Sequence, residues 1–223
     1  MGRALNLKGL LIFSILGFCG TFFADEPANF KDNMKITFKE ADTPTFTMKN
    51  VSSSGTTNGA KWGLINVEIQ PEKKTTKNGN AYFDDVEMEV QLAIINGKKN
   101  DVEQVVLFSG KVEYHFIERD GKKHDLMALI PGAYFKRYAT DKVTPAKGNV
   151  RIEVKLVQRG KVLAVGYYSS KSMADKDLRR WFMNLRSSKK VSLLDKENTI
   201  LPRSATPWEW IDFDKYEYEK QVK

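Results

Sequence analysis

A single cysteine, Cys19, stands in 223 residues, inside an apolar N-terminal stretch. One cysteine closes no internal disulfide, so the fold must be held by its core alone. Histidine is nearly as scarce, with only His115 and His124. Zinc sites want three or four ligands at set spacing, and two imidazoles fall short. The chain has no Gly-x-Ser-x-Gly, no His-Glu-x-x-His and no phosphate-cradling glycine loop. With these motifs missing, no enzyme is expected and neither is a metal or other cofactor. The one long apolar run, Gly9–Phe23, is shorter than the roughly 20 residues a transmembrane helix needs.

That run has a different reading. "MGRALNLK" carries Arg3 and Lys8 and no acid, an apolar segment follows, and "ADEP" begins polar sequence. This is the layout of a secretory signal peptide, with cleavage expected after Ala24. The competing readings are a retained N-terminal anchor, a lipidated Cys19 within "LGFC", and a prepilin-type cut after Gly9. Phe18 stands where a lipoprotein box wants a small residue, and Ser14 stands where a prepilin carries glutamate. The expected protein is therefore exported, to the periplasm, the outer membrane or the cell surface. Its parts are a signal peptide (1–24), an N-terminal arm and loop (25–59) and a main body (60–223). Without residues 1–24, which hold two basic residues and no acid, the net charge of +8 becomes +6.

Basic residues outnumber acids but are interleaved with them, as in "KVEYHFIERDGKK". Nucleic-acid binders gather basic charge on one face, so no nucleic acid is expected.

From Met34 onward the hydrophobic period is two. "NMKITFKE" sets Met34, Ile36 and Phe38 against Lys35, Thr37 and Lys39; "FTMKN" after Pro44 is a short strand candidate. "KWGLINVEIQP" changes phase between Leu64 and Val67, which predicts a bulge near Gly63–Asn66. "FDDVEMEVQLAI" alternates most regularly, with Val86, Met88, Val90, Leu92 and Ile94 on one face, which predicts a strand buried on one side. "NGKKN" predicts a turn at Asn96. "VEQVVLFSGKVEYHFIE" is one long strand with a kink at Ser109-Gly110, and "RDGK" is a hairpin signal. "HDLMALI", "NVRIEVKLV" and "VLAVGYYS" complete the set, with "PGAYFKRYAT" a turn or one short helix. Seven or more short strands with tight turns predict an all-β antiparallel sandwich or barrel.

Residues 172–186 break the pattern. Ala174, Leu178, Trp181, Phe182 and Leu185 recur at helical spacing, with Ser172 as the expected cap. This predicts one amphipathic helix that plugs an edge or end of the sandwich.

The order of "KWGLINVEIQP", "DDVEMEVQLAI", "LFSGKVEYHFIERDGKKHDLMALIPGAYFKRY", "VRIEVKLVQRGKVLA" and "RRWFMNLRSSKK…LLDKENTILPRSATPWEWIDFDKYE" resembles a family of secreted pilus-like proteins of Verrucomicrobia, of the Akkermansia type. The resemblance runs from about residue 60 to 220 and rests on order and spacing, not on a catalytic motif. It implies an immunoglobulin-like antiparallel β-sandwich, encoded near type IV pilus or secretin-like genes.

Three places invite a functional reading. Asp85, Glu87 and Glu89 line one strand face; successive residues there are about 7 Å apart, which suits a cation or a carboxylate pair as well as a solvated, ion-paired face. His115 and His124 would face each other across the expected hairpin. The aromatic C-terminal segment, "ATPWEWIDFDKYEYEK", sets Trp208 and Trp210 in one phase and Ile211 and Phe213 in the other. A carbohydrate platform needs coplanar exposed rings, so the phase slips favour an extended segment that wraps the body. Ile36, Phe38, Trp208 and Trp210 are the candidate partner surface. The function read from these features is a non-catalytic structural or interaction protein of the cell envelope. Its expected partners are envelope proteins, including pilus or secretin components, and other copies of itself. The alternative is a carbohydrate-binding adhesin-like module for mucin or another surface glycan.

Overall fold

A computed structural model describes residues 34–42, 61–73, 81–138, 149–209, 216–217 and 219–220. The leader, the "FTMKN" segment, Trp210, Ile211, Phe213 and Tyr218 lie outside the described residues. The strands are β1 (Lys35–Ala41), β2 (Trp62–Ile69), β3 (Tyr82–Lys99), β4 (Val102–Glu118), β5 (His124–Ile130), β6 (Asn149–Gln158), β7 (Lys161–Ser169) and β8 (Val191–Pro202). The helices are α1 (Gly132–Tyr138) and α2 (Asp175–Asn184), and one 3-10 turn covers Arg203–Ala205.

The all-β expectation holds, in the form of one sheet. Its order is β1-β2-β5-β8-β4-β3-β6-β7. β8 joins the two halves: Val191–Lys196 run along β4, then Leu201 and Pro202 pair with β5. The sheet curls until its end strands meet, and Gly166 of β7 lies so close to β1 that a Cβ there would sit 2.6 Å from Met34 Cβ. The curl encloses the main core. Ile36 and Phe38 enter it from β1, Ile65 and Val67 from β2, Met88, Leu92 and Ile94 from β3, and Ile152, Val154 and Leu156 from β6.

Several expectations are corrected. β4 and β8 run parallel, so the sheet is not wholly antiparallel. No bulge interrupts β2, whose register with β1 and β5 is continuous. Its change of phase has another cause, because both faces are covered: Ile65 and Val67 point into the main core, while Leu64 faces a separate cluster with Met127, Leu129 and Trp208. β3 does not turn at Asn96. It slips register near Gly97 and continues to Lys99, and the reversal falls at Asn100 and Asp101, both with positive φ, as a tight hairpin turn requires. The arm of residues 25–59 is not wholly separate from the body, since β1 pairs along its length with β2.

The alternation of β3 ends in four consecutive buried residues, Leu92–Ile95. Leu92 and Ile94 face the main core; Ala93 and Ile95 face outward, where Val105, Leu107, Phe182 and Leu185 cover them. Helix α2 therefore lies across the outer face of the sheet rather than plugging an end. It starts later than expected: Ala174 occupies the cap position and no side chain caps it. Trp181 donates its indole N–H to Glu103 at 3.3 Å and carries the Arg151 guanidinium 4.3 Å above its ring. The short helix α1 sets Tyr134 and Tyr138 against Phe108, at 5.9 and 6.0 Å between ring centroids.

Candidate interaction site between β4 and β5

The Asp120-Gly121 turn makes no hairpin. Gly121 takes the expected positive φ and Asp120 accepts a hydrogen bond from the Lys122 N–H, yet β4 and β5 do not pair. β4 lies between β3 and β8, and β5 between β2 and β8. The turn is an arch from one half of the sheet to the other. β8 fills the space between its legs only as far as Pro202, so the C-terminal half of β4 and the N-terminal half of β5 stand apart.

Among the described residues, two things occupy that gap. The first is Tyr114, a buried residue of β4. Its hydroxyl accepts from the Met127 N–H at 3.1 Å and donates to the Met127 carbonyl at 3.3 Å. It takes the place of the strand that Met127 lacks, since β8 pairs with Ala128 and Leu129 and then leaves the ladder. Burial pushes the Tyr114 phenol well above its ordinary pKa, so the hydroxyl stays protonated as a donor. Tyr114→Phe removes both bonds and strands two buried backbone groups, at about 1–3 kcal/mol. For a chain of this size the melting temperature should fall by about 3–10 °C, readable by differential scanning calorimetry.

The second occupant is the chain's own C-terminal segment. Tyr216 bridges to Asp125 of β5 in parallel sense, and Glu219 to Tyr114 of β4 in antiparallel sense. The Glu217 N–H donates to the Asp125 carbonyl at 3.2 Å, and the Lys220 N–H to the Glu113 carbonyl at 2.8 Å. Side chains repeat the attachment. Glu217 meets His124 Nδ1 at 2.5 Å, while Asp120 meets Nε2 at 3.0 Å. The half-buried Glu219 accepts from the Ser204 N–H at 2.9 Å. Lys220 reaches Asp85 at 2.8 Å and Glu113 at 3.6 Å.

The electrostatics of this segment favour docking in acid. Burial works against a charged His124 ring, but Glu217 and Asp120 outweigh it and hold the pKa above the ordinary value. Such a group contributes fully below about pH 6.5, its unfolded value, and the contribution fades as pH rises through the raised one. Glu219 acts in the same direction, because burial raises its pKa against the Ser204 and Arg203 interactions. Asp120 opposes them at the acid end: despite burial, its bonds to Lys122 and His124 lower its pKa, so its contribution is lost as pH falls through that lowered value. The stability difference between the wild type and His124→Gln should be largest near pH 6 and shrink toward pH 9, measured by urea unfolding across that range.

The residues singled out from sequence are mostly placed elsewhere. Ile36, Phe38 and Trp208 are 7–9% exposed, so they are core and offer no open surface; Trp210 lies outside the described residues. Trp208 packs edge-on against Trp62 with centroids 5.2 Å apart. It is presented by Thr206, whose hydroxyl donates to the Arg203 carbonyl at 2.8 Å and accepts from the Trp208 N–H at 3.3 Å. The acidic row is ion-paired: Asp85 to Lys220, and Glu87 and Glu89 to Lys111 at 2.8 and 3.1 Å. His115 is exposed and His124 is engaged by carboxylates, so the two do not meet. Among the described residues no cluster of three His, Cys, Asp or Glu is placed to hold a metal ion, and no helix is long and apolar enough to cross a membrane. The gap itself was missed. Its sequence signals are the opposite charges of Glu217 and His124 and of Lys220 and Asp85.

Comparison with known proteins bears on fold and family. One family model matches residues 25–223. A crystal structure from Akkermansia muciniphila superposes with a TM-score of 0.59 at 15% identity, covering 86% of this chain and 92% of that one. No curated protein matches.

Proposed function

The chain belongs to the family whose model matches residues 25–223, and from that premise we propose that it is an exported, non-catalytic protein of the cell envelope that works by pairing strands with other proteins. The observation that carries this reading is the β4–β5 gap. Backbone groups of Glu113, Asp125 and Met127 that would otherwise face an empty edge are met by a short added segment and a tyrosine hydroxyl. Strand addition uses such an edge, with main-chain bonds for affinity and flanking side chains for selectivity. In this reading the curled sheet is an immunoglobulin-like sandwich, with β1, β2 and β5 in one layer and β4, β3, β6 and β7 in the other. The partners are envelope proteins, those of type IV pilus or secretin-like machinery among them. The burial of Trp208 removes one ring on which a glycan platform would rest.

The test is made in the cells that produce the protein. A photo-crosslinking residue is placed at Leu194, exposed on β8, and at Lys220. The expected result is recovery in the envelope fraction with a defined envelope protein attached. Recovery in the cytoplasm, or tight binding of the purified chain to mucin glycans with no protein crosslink, overturns the reading.

A further inference from the structure

We propose that the β4–β5 gap is a strand-exchange site, able to receive the Tyr216–Lys220 segment of a second copy of this chain. The inference deepens the strand-pairing reading above and rests on it for biological meaning. The gap displays its own selectivity through its present occupant. His124 stands opposite Glu217, the Ser204 N–H opposite Glu219, and Asp85 with Glu113 opposite Lys220. A segment that satisfies this order of charges in one chain satisfies it equally when supplied by another, and a second copy is the partner whose fit is already visible.

The attachment also suits exchange. Among the described residues the segment is held to the strands by two isolated bridges, so its release is a local event that leaves the main core closed. Residues 210–215 connect it to the body, and six residues span at most about 20 Å when extended. Reciprocal exchange replaces every contact of one chain with the same contact of another, so the two arrangements differ mainly in the entropy of association. A tethered segment competes at an effective concentration on the order of millimolar. The segment therefore stays in its own chain when dilute, and exchanges when copies are held side by side at comparable density.

Disulfide trapping at the Asp125–Tyr216 bridge tests this in the full-length chain, with Cys19→Ser to remove the native thiol. One tagged population carries Asp125→Cys, and a second, differently tagged, carries Tyr216→Cys. They are mixed at about 1 mM, matching the effective concentration of the tether, and oxidised mildly. The expected product is a mixed disulfide dimer whose yield falls on dilution. A second pair, Asp125→Cys with Ser192→Cys, should give no such dimer. Asp125→Cys and Tyr216→Cys together in one chain should give an intramolecular disulfide in dilute solution. If the single-chain disulfide forms but the mixed dimer does not, exchange is overturned while the envelope reading stands on its own crosslinking test. If neither forms, the segment does not occupy the gap and the inference falls with it.

Discussion

Gly110→Ala is expected to be among the most damaging single substitutions in this protein. A Cβ at Gly110 would lie 2.1 Å from the Ile200 carbonyl oxygen and 2.8 Å from its carbonyl carbon. Both are backbone atoms of β8, so no side-chain rotation relieves the clash. β8 would have to move away from β4 where it crosses from one half of the sheet to the other, close to its pairing with β5 at Leu201 and Pro202. Overpacking of a tight site costs about 1–3 kcal/mol and sometimes more, and the backbone clash puts this substitution at or above the upper end. Urea unfolding should show the midpoint shifted strongly downward. Ser109→Ala, one residue away and half-buried, should shift it little. An unperturbed Gly110→Ala protein would mean that β8 does not cross at this point.

Trp208→Ala is the second large effect. Trp208 covers Leu64, Met127 and Leu129 on the outer face of β2 and β5, with Trp62 and Tyr216 beside it. Truncating a buried tryptophan costs about 3–5 kcal/mol. The loss should also be local: the emission of Trp62, stripped of its edge-on neighbour, should move to longer wavelength before global unfolding. Trp62→Phe, which keeps an aromatic ring against Trp208, should cost much less. Equal losses for the two substitutions would contradict the placing of Trp208 as the residue that covers Leu64, Met127 and Leu129.

Strands β1 to β7 were legible in the sequence because most have one face in the core and the other toward solvent, whereas β8 was not read as a strand. Val86, Met88 and Val90 alternate with Glu87, Glu89 and Gln91, and nothing but a half-buried strand satisfies that pattern. Where a second layer covers the outer face, alternation fails as a guide. The phase change at Leu64 reads as a bulge from sequence, yet it records Trp208 on the other side of β2. The run Leu92–Ile95 likewise records α2. Strand pairing was less legible. Asp-Gly fixes a tight reversal of the chain, but it does not decide whether the two legs bond to each other or diverge into opposite halves of a sheet. Here the side chain of Tyr114 reaches Met127 across the space that a hairpin would close. The parallel run of β8 on β4 left no local mark at all, since parallel neighbours are chosen by the long connection between them and not by either strand. Three of the four candidate surface residues are buried for a related reason. Ile36, Phe38 and Trp208 were singled out because they are large and apolar, and that same property buries them.

The central claim is that the C-terminal segment fills the β4–β5 gap under the control of His124. Amide hydrogen exchange at Glu217 and Lys220 tests it most directly, because their N–H groups are the ones bonded to Asp125 and Glu113. Both amides should exchange more slowly than in a free peptide of residues 206–223 at the same pH, and the slowing should be greater at pH 6 than at pH 8.5. Exchange at the free-peptide rate at both pH values would contradict the claim.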